Sequence, residues 1–227
     1  MKIGSRLVAS LLLLVLAGCN ETNAPGPQPQ LPAVFSFELT GWSGYYSPGV
    51  VLGPPPGVPA FVIPEGPEAD GAPSIHYLTR PTFGAIGSST SLAATYEFST
   101  TGSPILQFRL RPNNTCDGPP ASVSLYFQRR GDDMSGSGEF EHYRWFSSAG
   151  AVLKEPSDVL EVPLAPAAWI SVMGKTGNLA PVQFAAALAN VQSIGMTFGG
   201  GCFKGHGVNV KPGSGTALFA LRKFELK

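Results

Sequence analysis

The amino-acid sequence predicts an all-β fold, an antiparallel two-sheet β-sandwich with one short α-helix. Six separate segments alternate apolar and polar residues, and this is the period of strands that bury one face. Clusters of Gly, Pro, Asn and Ser separate the segments, and such clusters are typical of turns between strands. Because many short strands follow one another in residues 33–227, two packed sheets are favoured over one.

The apolar members of the six segments define the predicted buried faces. In chain order they are Phe35/Phe37/Leu39, Leu92/Ala94/Tyr96/Phe98, Leu106/Phe108/Leu110, Val123/Leu125/Phe127, Ile194/Met196/Phe198 and Ala217/Phe219/Leu221. Between the fourth and fifth segments, Phe184, Leu188 and Val191 recur at helical spacing after Pro181. Proline suits a first helical turn and the intervening alanines favour helix, so we expect a short helix here, packed over one end of the sandwich.

Two stretches carry little periodicity. Residues 41–73 contain eight prolines, and proline cannot donate to a sheet ladder, so this stretch is predicted to run as a loop or a sheet edge. Residues 199–215 are rich in glycine and are predicted to form a second loop.

The composition is that of a weakly charged globular domain. Lys plus Arg and Asp plus Glu number 15 each, so the formal net charge is zero, which excludes a strongly basic nucleic-acid-binding protein. Charged residues make up 13% of the chain, about half of the roughly 25% found in typical soluble domains. The hydrophobic content of 43% is sufficient to build a core.

Residues 1–18 have the pattern of a secretory signal sequence. Lys2 and Arg6 precede an apolar run from Leu7 to Leu16, which is shorter than the roughly 20 residues of a permanent transmembrane helix. The run ends in Leu16-Ala17-Gly18-Cys19, which resembles the lipobox of bacterial lipoproteins. The resemblance implies cleavage before Cys19 and acylation of Cys19, which would become the new N-terminus.

Residues 19–32 are expected to form a tether between the acylated Cys19 and the domain. They contain four prolines and no aromatic residue, which is typical of an extended, semi-rigid linker. By the sorting pattern of the lipoprotein family, Asn20 is compatible with transport to the outer membrane of a Gram-negative bacterium, on its periplasmic or its surface face. The expected organisation is therefore signal 1–18, tether 19–32 and sandwich 33–227.

The order of elements in residues 33–227 resembles exported bacterial domains of the laminin-B-like, galactose-binding-like jelly-roll type. The resemblance rests on an opening strand that ends at Gly41-Trp42, a middle segment from Ile75 to Phe98, and Trp169 followed by the predicted helix and the Ile194–Phe198 strand. The proline-rich residues 48–67 and the segment 202–206 depart from that pattern. Such domains are usually binding or adhesion modules without a common catalytic set.

The two remaining cysteines, Cys116 and Cys202, are predicted to form a disulfide, since an exported chain meets an oxidising compartment. Closing the 86-residue separation would contribute roughly 4–5 kcal/mol in the chain-entropy model. The alternative is a nucleophile pair of Cys202 and His206, which a disulfide would remove, because that chemistry needs the thiolate.

Two groups of aromatic residues are candidate ligand-binding sites. Residues 140–146 are interpreted as a strand that places Glu141, Tyr143 and Trp145 on one face, where an aromatic pair beside a carboxylate would suit a sugar ring. Trp42, Tyr45 and Tyr46 form the second candidate group. The alternative for both groups is that the large aromatic side chains enter the core.

No catalytic motif or cofactor site is predicted. The sequence lacks a Gly-x-Ser-x-Gly elbow and a Walker-type loop, and His76, His142 and His206 lack the spacing of zinc ligands. The acids Asp132 and Asp133 lie in a polar turn, where we expect solvated carboxylates; a structural calcium ion is the one metal this turn suggests, without EF-hand spacing.

Three functional hypotheses follow. The leading hypothesis is a membrane-anchored, non-catalytic binding or adhesion lipoprotein that recognises glycan. The second is a structural or assembly lipoprotein that binds an envelope protein. The third is a glycan hydrolase that uses acids such as Glu141 and Asp133, since glycoside hydrolysis needs two facing carboxylates.

Overall fold

The computed structural model describes residues 35–47, 50–52, 59–67, 72–108, 120–201 and 203–227. These residues form two antiparallel β-sheets with one short α-helix, so the predicted all-β sandwich is confirmed. The signal sequence, Cys19 and the tether lie outside the described residues, as do Leu110, Cys116 and Cys202. The lipidation and the disulfide therefore stay predictions, as does the resemblance to galactose-binding-like jelly rolls.

The smaller sheet contains five strands within the described residues, in the order β1-β15-β6-β11, with β4 also paired to β15. Their bounds are β1 Phe35–Ser36, β4 Ala60–Val62, β6 Ser91–Gly102, β11 Ser157–Pro163 and β15 Gly215–Leu226. The long strands β6 and β15 pair from Gly102↔Gly215 to Leu92↔Leu226 and form the centre of this sheet.

Ten strands of the described part of the chain form the larger sheet, whose main path runs in the order β12-β9-β8-β13-β5-β14-β7. In addition, β10 pairs with β8, and β2 pairs with β5 and β3. The bounds are β2 Ser43–Ser47, β3 Val50–Leu52, β5 Ser74–Gly84, β7 Leu106–Phe108, β8 Ser122–Arg129, β9 Arg144–Ser147, β10 Ala151–Val152, β12 Trp169–Ser171, β13 Val191–Gly199 and β14 Val208–Val210.

The main core lies between the two sheets. The predicted faces of β6, β8, β13 and β15 are all buried in it, which confirms the alternation over these four strands. Stabilisation follows from the area removed from water, at about 25 cal/mol per Å² of apolar surface. The larger sheet also has a second face, opposite this core; we call it the outer face.

The helix α1 spans Pro181–Ala189 and begins with the predicted proline. Phe184, Ala187 and Leu188 are its buried residues, and the Phe184 ring packs against Phe127 at 5.8 Å between centroids. The helix is therefore confirmed, although Val191 already belongs to β13.

Both stretches predicted as loops contain strands in their described parts. Strands β2, β3 and β4 occupy parts of 41–73. Among the described strands β4 pairs with β15 alone, in keeping with the edge prediction, whereas β2 pairs with both β3 and β5. Strand β14 lies within 199–215 and pairs with β7 and β5, so the prediction of a continuous loop there is wrong. All three residues of this short strand, Val208, Asn209 and Val210, are buried, and this burial stabilises the strand.

The sandwich has two distinct ends. At one end, α1 contacts the turn after β5 through a hydrogen bond from the Ile86 amide to the Leu188 carbonyl. We call this the helix end. Strands β6 and β15 run from there to the far end, where Gly102 pairs with Gly215. Within the described residues, no helix is long and apolar enough to cross a membrane.

Candidate functional site

The strand predicted over residues 140–146 does not form. Residues Gly138–His142 are a 3-10 helix, and strand β9 starts only at Arg144, so the predicted face of Glu141, Tyr143 and Trp145 is wrong. The Trp145 side chain is fully buried, its ring lies 5.0 Å from Phe184, and its indole N–H donates to the His142 carbonyl at 2.8 Å. A fully buried ring cannot stack on a ligand.

Trp42 of the second candidate group is also a core residue. It is 2% exposed, packs on Phe224 at 5.0 Å and donates its indole N–H to the Glu38 carbonyl at 3.1 Å. Tyr46 belongs to β2, but its side chain lies outside the described residues. Tyr45 on the same strand is 38% exposed, so this tyrosine retains the accessibility that a ligand contact needs.

Glu141 lies in the 3-10 helix and Tyr143 is its C-terminal cap, and both side chains have local partners. Glu141 Oε1 lies 2.7 Å from Lys175 Nζ and 2.8 Å from His142 Nε2, and the hydrogen bond from Lys175 holds the pKa of this carboxyl below its usual value. The Tyr143 hydroxyl donates to Glu139 at 3.2 Å. Ligand binding by Glu141 and Tyr143 stays a prediction.

Tyr45 is the first member of an aromatic row on the outer face. The register pairs it with Tyr77 of β5, at 6.3 Å between ring centroids, and Tyr77 lies 5.1 Å from Tyr126 of β8. We call these three residues the tyrosine row. Their exposed fractions fall from 38% through 8% to 3%, so the row runs from solvent into the fold. Edge-to-face contacts of this kind favour a fixed geometry.

A buried ion pair lies behind the row. Arg144 Nε is 2.7 Å from Asp132 Oδ2, with side chains 8% and 0% exposed. Gln128 Nε2 donates to Asp132 Oδ2 at 2.9 Å, and the Met134 amide donates to Asp132 Oδ1 at 3.0 Å. The same Gln128 accepts a hydrogen bond from the Ser193 hydroxyl at 2.7 Å. The prediction of a solvated Asp132 is wrong, because its side chain is buried, accepts two hydrogen bonds and forms an ion pair with Arg144.

The buried phenols of the row are tied into this network. The Tyr77 hydroxyl interacts with Arg144 and Thr197, and burial raises the pKa of Tyr77 above its ordinary value. The Tyr126 hydroxyl interacts with Thr79 and Ser193, and burial raises the pKa of Tyr126 as well. Both phenols therefore stay protonated around neutral pH and can donate or accept hydrogen bonds in a fixed arrangement.

A glycine-containing turn closes the edge of the row. The Gly205 carbonyl lies 2.9 Å from His76 Nδ1. Because a carbonyl can only accept, Nδ1 carries a proton, and Nε2 lies 2.9 Å from the Ser74 hydroxyl. A Cβ at Gly205 would lie 2.3 Å from the Tyr77 hydroxyl, so glycine is required for this approach. The His76 ring also contacts Tyr45 edge-to-face at 6.3 Å.

Asp132 and Asp133, the acids of the turn that suggested a calcium ion, lie in different environments. Asp132 forms the ion pair with Arg144, whereas Asp133 is exposed. Hydrogen bonds from the Ser135 side chain and, at 2.8 Å, from the Ser135 amide lower the pKa of Asp133. No group of three or more His, Cys, Asp or Glu side chains suited to a metal ion occurs in the part of the chain that the structure describes.

Sequence reasoning identified Tyr45 but missed Tyr77, Tyr126 and the Asp132–Arg144 pair. Their positions depend on which strands pair, and sequence alone does not give that register. One signal was available: Tyr126 and Gln128 alternate with the apolar face of β8, which marks a second face carrying an aromatic residue. No protein-family model matches this chain, and no curated protein matches it.

Proposed function

We propose that the chain is an exported lipoprotein, anchored through Cys19, that presents a non-catalytic sandwich for binding glycan at the exposed end of the tyrosine row. The lipobox and the proline-rich tether support the anchor. The outer face supports binding, because a rigid sheet places an accessible aromatic ring beside fixed hydrogen-bonding groups.

The observation that carries the proposal is the position of Tyr45. Its ring is 38% exposed and is held between Tyr77 and His76 by edge contacts at 6.3 Å. Sugars present both apolar C–H faces and hydroxyl groups, so a partly exposed ring beside polar side chains matches their chemistry. An ordered ring also loses little conformational entropy when a ligand binds.

The test is a glycan array probed with the purified mature protein in detergent. Tyr45→Ala removes the accessible ring, whereas Phe83→Ala is the matched control, since Phe83 is an aromatic residue 57% exposed elsewhere on the same strand as Tyr77. A lost aromatic contact of about 0.5–1.5 kcal/mol predicts roughly two- to thirteenfold weaker binding for Tyr45→Ala alone. Absence of glycan binding, or equal binding by both variants, would contradict the proposal.

One observation favours a protein partner as the second candidate function. Strand β11 pairs with β6 on one side, and it has no second strand partner among the described residues. Val159 on this strand is 60% exposed. An edge strand of this kind can accept a strand from another protein. Crosslinking in cells with and without Val159→Pro would test this alternative, since proline removes the amide needed for pairing.

A further inference from the structure

Three large apolar side chains remain exposed around α1. Leu179 is 76% exposed, Val182 75% and Phe83 57%. Leu179 precedes the helix by two residues and Val182 lies in its first turn, while Gly84, the neighbour of Phe83, pairs with Val191 just after the helix. All three therefore lie at the helix end, where they form an exposed apolar surface.

A basic side chain accompanies this surface. The guanidinium of Arg130 lies 5.1 Å from the centre of the Phe83 ring, and the Arg130 amide donates to Asn190, the residue that caps α1. Arginine beside exposed aromatic and aliphatic residues is the arrangement found where proteins meet an anionic lipid surface.

The N-terminal side of the chain enters the domain at the same end. Phe35 of β1 pairs with Leu226, and Leu226 pairs with Leu92 at the start of β6. The turn that leads into β6 carries Ile86, whose amide bonds to Leu188 of α1. The residues that connect Cys19 to the sandwich therefore join it beside the helix, not at the far end.

The length of this connection limits the distance to the lipid. Residues 19–32 could span at most roughly 45–50 Å when fully extended, and about 20 Å as a flexible chain. A domain of this size is itself about 40 Å across, so the helix end stays closer to the anchor point than the far end in most arrangements. A weak apolar contact between the domain and the membrane is strengthened by this proximity, because the anchor raises the effective concentration of the domain at the lipid surface.

We infer that the helix end of the sandwich rests on the phospholipid surface that holds Cys19, with Leu179, Val182 and Phe83 in the headgroup region and Arg130 against lipid phosphates. This inference rests on the proposed lipid anchor. It gives the domain a defined orientation, because the far end then points away from the membrane and the tyrosine row is presented at the side.

The test is photo-crosslinking in the full-length protein, processed in cells and reconstituted into vesicles of phosphatidylethanolamine and phosphatidylglycerol. A photo-reactive amino acid replaces Leu179, Val182 or Ile105, one at a time. Ile105 is the matched control, because it is 52% exposed and lies at the far end, where its amide bonds to the Ser214 hydroxyl. We expect lipid adducts at least about fivefold more abundant at positions 179 and 182 than at 105.

The intact mass of each sample separates the possible failures. Acylated protein with equal adduct yields at the three positions would overturn the orientation while leaving the anchor in place. Protein without acylation at Cys19 would remove the anchor, and the inference would be overturned with it. Acylated protein with adducts concentrated at the helix end supports both.

Discussion

Replacing Asp132 with asparagine removes one charge from the ion pair behind the tyrosine row while keeping the size of the side chain. The carboxylate is fully buried and lies 2.7 Å from Arg144 Nε. The variant leaves the Arg144 guanidinium in place, and only 8% of that side chain is exposed to water. The guanidinium also donates to the Met134 carbonyl at 2.8 Å, so it is not free to swing out.

The expected cost follows from that geometry. Breaking a buried pair by neutralising one partner typically costs about 3–5 kcal/mol, because the remaining charge is buried without compensation. Asparagine can keep an oxygen toward the Met134 amide, but its NH₂ then faces Gln128 Nε2, which donates to Asp132 at 2.9 Å. We therefore expect Asp132→Asn to lower the free energy of unfolding by about 3–4 kcal/mol.

Denaturant unfolding of the wild type and three variants measures this effect. Asp133→Asn is the matched control, since it changes the neighbouring acid, which is exposed, and should alter the midpoint little. The third variant, Asp132→Asn with Arg144→Met, removes both charges and should recover part of the loss. If Asp132→Asn and Asp133→Asn unfold at the same denaturant concentration, the ion pair does not stabilise the outer face and the reasoning fails.

Three further predictions concern the same elements. Gly205→Ala should destabilise the protein by at least about 2 kcal/mol more than Gly213→Ala. Both glycines have φ of +73°, but only a Cβ at Gly205 would lie 2.3 Å from the Tyr77 hydroxyl. Thermal melts of both variants measure this difference. Phe184→Ala should lower the free energy of unfolding by about 3–5 kcal/mol through the cavity it leaves, whereas Val182→Ala, at an exposed position, should change it by less than about 0.5 kcal/mol. Equal losses of stability in denaturant titrations would contradict the burial of the Phe184 face of α1. Burial raises the pKa of Tyr77 in the folded state. The contribution of its protonated phenol to folding stability should therefore be complete below pH about 10 and be lost as the pH rises above that value. Tyr77→Phe should show a smaller decrease in melting temperature at alkaline pH than the wild type.

The central strands could be predicted from the sequence because their alternation is local. Strands β6, β13 and β15 each bury the predicted face, and the helix begins at the predicted Pro181. The second buried face of β8 could not be predicted in this way. Ser124 and Tyr126 are polar enough to suit solvent, yet they are 1% and 3% exposed, because neighbouring segments cover them.

The segment 140–146 shows how a strand-like pattern can mislead. Its alternating residues fit a strand, but the Phe140 amide bonds to the Ser137 carbonyl and the Tyr143 amide to the Phe140 carbonyl, which is 3-10 geometry. Gly138, the first residue of this helix, has φ +59°, a conformation that glycine adopts readily. Trp145 then turns into the core, where burying its large ring outweighs exposure on a surface strand.

The candidate site depends on contacts that are distant in the chain. Tyr45, Tyr77 and Tyr126 meet through strand register, and loop closure brings Gly205 against His76 across 129 residues. None of these pairings follows from local periodicity. Tyr45 could be proposed from sequence only as one aromatic residue in a loop, without the neighbours that give it a binding geometry.

The anchor is tested most directly by the intact mass of the mature protein extracted from membranes. We expect a chain that begins at Cys19 and carries the added mass of a diacylglyceryl group and an amide-linked acyl chain. We also expect Cys19→Ala to release the protein from the membrane fraction. An unmodified N-terminus, or a Cys19→Ala variant that remains in the membrane fraction at the wild-type level, would contradict the anchor.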